Sequence, residues 1–89
     1  MDLKQAFGAT LRGLRQRKNR TQEDFYIVSS RTYISTLERG IKSPTMEKLD
    51  DIASVLGVHP ATLIVSTYME KNNEDLESVL QRIREDLTD

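Results

Sequence analysis

The chemistry open to this chain is narrowed first by the groups it lacks. It has no cysteine and one histidine, His59, which sits just before Pro60 with no ligand partners nearby. That rules out a thiolate site and leaves His59 as a helix-cap residue rather than a metal ligand. Glu23/Asp24 and Asp50/Asp51 are adjacent carboxylates, and neighbours on a helix face different directions, so neither pair makes an acid–base couple. No nucleophile–base set and no phosphate-cradling loop is present, so the chain is expected not to be an enzyme and to need no cofactor, metal or small-molecule ligand. The side chains that remain are cationic and hydrogen-bonding. Arg12, Arg15, Arg17, Lys18 and Arg20 precede the stretch TQEDFYIVSSRTYISTLERG (21–40), and Arg39 and Lys42 close it. The net charge of −1 hides a division: residues 1–48 carry ten Lys/Arg against five Asp/Glu, and residues 49–89 carry three against nine. Such an asymmetry predicts one basic working face and a separate acidic portion.

The elements that must carry these groups are all helical. Leu3, Phe7, Leu11, Leu14 and Lys18 recur at helical spacing and predict a helix over 3–18. Gly8 and Gly13 within it would let another helix approach closely. Asn19 can take the left-handed conformation that ends it. Thr21, with Asp24 three residues on, is an N-cap for a second helix from Gln22 to about Val28. Ser30 caps a third helix, from Arg31 to about Arg39. There Ile34 and Leu37 can face a core, while Arg31, Thr32, Ser35 and Thr36 cannot. Gly40 stops it. Thr45 caps a fourth helix with the stripe Leu49, Ile52, Ala53 and Leu56, ended by Gly57. Pro60 suits the first turn of a fifth helix, PATLIVSTYMEK. Asn72 and Asn73 form a joint, after which Leu76, Leu80, Ile83 and Leu87 draw a narrow apolar seam on a charged helix. No stretch alternates with period two, and no apolar run has the length or setting of a signal peptide or a membrane span.

Two short helices joined by a tight turn inside a bundle predict a helix-turn-helix. The second of them, third in the chain, offers a polar, partly cationic leading end while its apolar face is held by a core. That arrangement suits the DNA major groove, and free N–H groups at the helix starts suit phosphates. The blocks LRGLRQRK, TQED, SRTYISTLERG and KSPTMEKLDDIASVLGVHPATLI together resemble the lambda-repressor-like (Cro and phage-repressor, XRE-type) DNA-binding domains over roughly residues 5–65.

That resemblance implies an all-α, five-helix DNA-binding bundle plus a C-terminal amphipathic helix. It also implies roles. Arg31, Thr32 and Thr36 would read bases. Gln22, Ser30, Arg39, Lys42 and Ser43 would contact phosphates, and Arg15 would pair with Glu38 as a structural buttress. The chain departs from the family pattern in one region. Tyr26 stands where alanine is usual, no glycine marks the turn, and the segment from Gln22 to Tyr33 is two residues shorter. This predicts a shorter second helix or a tighter turn, with the recognition helix docked at an unusual angle.

Residues 1–69 are read as the DNA-binding domain and 70–89 as a C-terminal helix for dimerisation. Ile64, Val65, Tyr68 and Met69, with Leu76, Leu80, Ile83 and Leu87, offer more apolar surface than one small bundle hides. They form the expected dimer interface. The function expected is a sequence-specific transcriptional regulator, a repressor of bacterial or phage type, binding a palindromic operator in double-stranded DNA as a homodimer. Its expected place is the bacterial cytoplasm, at the nucleoid, without membrane contact. The alternative is a protein-interaction module, such as an antitoxin or anti-repressor, that works through its acidic C-terminal helix.

Overall fold

In a computed structural model, which describes residues 1–88, each helix starts at a side chain able to satisfy a free backbone N–H. The Asp2 carboxylate accepts from the Gln5 backbone N–H at 2.8 Å, and the Gln5 amide oxygen accepts from Asp2 N–H at 3.2 Å. Helix α1 (Leu3–Arg17) follows. Asn19 then takes φ +55° and turns the chain away. After α1 come a short 3₁₀ turn (Gln22–Phe25), α2 (Arg31–Glu38), α3 (Met46–Leu56), α4 (Pro60–Asn72) and α5 (Leu76–Leu87). The described residues contain no strand. Thr45, His59 and Asp75 cap α3, α4 and α5 through side-chain acceptors, and His59 does so through Nδ1, 3.0 Å from Ala61 N–H. Gly57 and Asn73, both at positive φ, end α3 and α4, and α3 and α4 are bent by 102° from one another.

One element differs from the sequence expectation. The helix expected over 22–28 is a single 3₁₀ turn, held by Thr21 N–H on the Asp24 carboxylate at 2.8 Å. The Val28 and Ser29 N–H groups both bond the Phe25 carbonyl, at 3.0 and 2.9 Å, so the chain folds back instead of climbing another turn. Phe25, fully buried, anchors the 3₁₀ turn in the core.

The core gathers Leu11 of α1, Phe25, Ile34 and Leu37 of α2, Ile52 of α3 and Leu63 of α4, all fully buried. Burying such a side chain stabilises by about 1.5–3 kcal/mol, so these residues fix how the helices sit. Helix α1 packs along α4 and across α2, α3 packs on α4, and the 3₁₀ turn packs on α2 and α3. The close approach of α1 to α2 occurs at Gly8. A Cβ there would lie 2.6 Å from the Glu38 carbonyl oxygen and 2.7 Å from that of Leu37. Gly13, expected to do likewise, has nothing within 4 Å of its Cβ position. Helix α5 rests on α4 and is buried only at Val79.

Candidate nucleic-acid interface

The leading end of α2 projects from the bundle. Ile34 and Leu37 lock one face into the core, and Arg31 and Thr32 lie exposed on the other. Arg31 has no carboxylate partner among the described residues. A cation at a helix start opposes the helix dipole, so nothing local explains an arginine there. The Ser30 hydroxyl oxygen accepts from Tyr33 N–H at 3.1 Å, which leaves its own proton free to donate outward. Thr36 is half-buried, and its hydroxyl donates to the Tyr33 carbonyl at 2.7 Å. Only its methyl and an oxygen lone pair can therefore face a ligand. Arg39, Lys42 and Ser43 are exposed beyond the end of α2. Arg39 is partly engaged through Nε on the Ser35 carbonyl at 3.4 Å. Ser43 stands at the rim of an apolar groove that also touches Leu3, Phe7 and Tyr68.

Behind α2 lies a buried carboxylate. Glu38 accepts from Arg15 Nε at 2.6 Å and Arg15 Nη2 at 3.0 Å, from Gln22 Nε2 at 3.2 Å, and from Arg12 Nε at 3.4 Å. The Glu38 side chain is 0% exposed and that of Arg15 is 15%. Burial pushes the carboxyl pKa up. Hydrogen bonds from Arg15 and Gln22, the charge of Arg15 and the bond from Arg12 outweigh it and hold the group below its ordinary range. The hydrogen bond to Glu38 likewise raises the Arg15 guanidinium above its usual value, against the opposing effect of burial. Arg15 also donates to the Arg20 carbonyl at 3.1 Å, just before the 3₁₀ turn. One side chain thus ties α1, the turn and α2 together. Gln22 is held by one amide N–H, and its second has no protein acceptor among the described residues. Glu38 therefore orients Gln22 at the surface beside α2.

Lys48 was not anticipated from the sequence. From α3 its ammonium donates to the Val28 carbonyl, in the turn between the 3₁₀ segment and α2, and sits 6.0 Å from the centre of the Tyr33 ring. A turn without glycine is thus held from outside by a cation that also lies over an aromatic face. The available signal was position: Lys48 precedes Ile52 by four residues and borders the apolar stripe of α3.

The apolar residues away from this face divide in two. Ile64, Val65 and Tyr68 of α4 and Val79 and Ile83 of α5 line an open groove of about 400 Å³. Tyr68, Leu76 and Ile83 are 42%, 45% and 38% exposed, Leu87 is 79% exposed, and Leu80 is half-buried. Met69 does not join them. It is half-buried and lines a separate hollow together with Ala9, Thr10 and Gly13 of α1, about 100° around α4 from Tyr68. Val79 was missed because the seam through Leu80 and Ile83 explained the helix without it. No set of three His, Cys, Asp or Glu able to hold a metal occurs among the described residues, and no single helix there is long and apolar enough to cross a membrane.

Comparison with known proteins bears on the same region. Residues 11–63 match the family model described as Helix-turn-helix, which covers α1 from Leu11 to the first turn of α4. The chain is 38% identical over 69 residues to an uncharacterized HTH-type transcriptional regulator, y4dJ, of Sinorhizobium fredii. That match covers 75% of this chain and 90% of the relative. The crystal structure of the clp gene regulator ClgR from Corynebacterium glutamicum superimposes with a TM-score of 0.70 at 31% identity, over 98% of this chain and 87% of that one.

Proposed function

This chain belongs to the lambda-repressor-like helix-turn-helix family of DNA-binding transcriptional regulators, and we propose that it is a repressor that binds a palindromic operator as a homodimer. The observation that carries this reading is the head of α2, where Arg31 and Thr32 stand exposed on a helix whose other face is immobilised by Ile34 and Leu37. Arg31 is assigned to a forked contact with guanine O6 and N7, which discriminates by about 1–3 kcal/mol. Thr32 and Thr36 are assigned to neighbouring bases, Thr36 through its methyl group because its proton is spent on Tyr33. Gln22, Ser30, Arg39, Lys42 and Ser43 would hold phosphates on either side. Residues 1–69 are assigned to DNA binding and 70–89, which hold the end of α4 and all of α5 and of which residue 89 lies outside the described residues, to dimerisation. The dimer surface is assigned to Ile64, Val65, Tyr68, Met69, Leu76, Leu80, Ile83 and Leu87. The half-sites would then lie about one helical turn apart, roughly 10–10.5 bp or a multiple of it. Its place of action is the nucleoid of a bacterial cytoplasm.

Selection of bound sites from random duplexes, followed by sequencing, tests the reading. A two-fold symmetric motif is expected, and a reporter driven from a promoter carrying it should fall when the protein is expressed. An asymmetric motif would refute the palindromic dimer, and a rise in the reporter would refute repression. Failure to retain any duplex at low ionic strength would refute DNA binding itself.

A further inference from the structure

We propose that two copies of this chain join through an antiparallel pairing of their α5 helices, locked by two reciprocal ion pairs between Glu77 of one copy and Arg84 of the other. The inference rests on the homodimer reading above and adds its orientation. The flanks of the α5 seam are unequal. On one side, Val79 is buried against α4, and Asp86 lines the same α4–α5 groove. That side is occupied by the chain itself. On the other side lie Glu77 and Arg84, seven residues apart and both exposed. Glu77 has no cation partner among the described residues, and Arg84 reaches only the Gln81 amide oxygen, at 3.3 Å. The adjacent Arg82 pairs with Asp86 within its own helix, at 3.8 Å. Glu77 and Arg84 are the charges left over beside an exposed apolar row.

Two helices packed on such a row meet at their flanking positions, and those positions set partner and direction. In a parallel pair, Glu77 would face the Asn72 position of the other copy, and Arg84 the Val79 position. Neither offers a counter-charge. In an antiparallel pair, Glu77 faces Arg84 and Arg84 faces Glu77, while Leu80 layers on Ile83 and Leu76 on Leu87. The two-fold axis then falls near the middle of α5, which gives the self-complementary interface of a closed dimer. The seam spans only roughly 18 Å. Ile64 and Tyr68 of α4, exposed along the adjoining groove, extend it.

The test is sedimentation equilibrium of the full chain, with Glu77→Arg, Arg84→Glu and the double exchange Glu77→Arg/Arg84→Glu compared at low ionic strength. Each single reversal sets like charges together at both ends of the pairing, so the dimer Kd should rise about five- to tenfold, and the double exchange should return it to within about twofold. The chain lacks cysteine, so a mixture of Glu77→Cys and Arg84→Cys proteins should form a crossed disulfide that neither forms alone. A dimer indifferent to both reversals, or self-crosslinking of Glu77→Cys, would overturn the antiparallel pairing and leave the homodimer standing. A chain that stays monomeric at every concentration would overturn both.

Discussion

Glycine to alanine at two positions of α1 should have opposite signs. In a helix interior the change normally stabilises, because alanine is favoured over glycine by about 0.8–1 kcal/mol. At Gly13 nothing lies within 4 Å of the added Cβ, so Gly13→Ala should gain nearly that full amount. At Gly8 the added Cβ would sit 2.6 and 2.7 Å from two carbonyl oxygens at the end of α2. These atoms are backbone and cannot swing aside. The helices must part by about half an ångström or more, and overpacking of this kind costs about 1–3 kcal/mol. After the propensity gain is subtracted, Gly8→Ala should destabilise by up to about 2 kcal/mol. For a domain of this size the midpoint should fall by up to roughly 15 °C, while Gly13→Ala should raise it by roughly 3–8 °C. Circular dichroism melts at matched protomer concentration measure both. Because Gly8 meets the carbonyls of Leu37 and Glu38, its variant should also bind the operator less tightly per folded molecule. Two shifts of the same sign would refute the claim that α1 and α2 touch through backbone at Gly8.

Three further outcomes follow from the interface. Arg31→Ala should lose affinity chiefly for the selected operator, by about 10- to 100-fold, whereas Lys42→Ala should weaken all duplexes about equally and reduce the salt slope by about one; fluorescence anisotropy against cognate and random DNA separates them, and equal losses for Arg31→Ala would remove it from base reading. Glu38 titrates lower folded than unfolded, so its contribution is complete above the unfolded value of about 4.3 and is lost as pH falls through the lower folded one. Glu38→Gln should be about 2–4 kcal/mol less stable at neutral pH because Arg15 stays behind without its counter-charge. Its urea midpoint should therefore decline less between pH 6 and 3 than that of the parent, and parallel declines would contradict the assignment. Lys48→Met should cost about 1–2 kcal/mol in chemical denaturation by freeing the Val28 carbonyl, and should blunt operator discrimination; unchanged discrimination would show that α2 is aimed without it.

The order of the helices, their caps and the outward face of α2 were legible in the chain itself, because each depends on residues within a turn or two of one another. Ser30 next to Arg31, glycine after the last turn and apolar spacing of three and four are local facts. The expectation of a shorter second helix or a tighter turn came instead from comparing Tyr26, the glycine-free turn and the segment length with the family pattern. Contacts between distant segments were not legible in the same way. Gly8 and Gly13 are alike in sequence, and only the path of α2 decides which one it crosses. Nothing near Lys48 in the chain marks its partner, the Val28 carbonyl twenty residues away, which only the docking of α3 brings within reach. Met69 and Tyr68 are neighbours in the chain and part company because α1 occupies one side of α4 and α5 another. Periodicity establishes that a helix has an apolar face, but the direction in which that face is spent depends on which helix arrives first to cover it, and only packing of the whole bundle decides that.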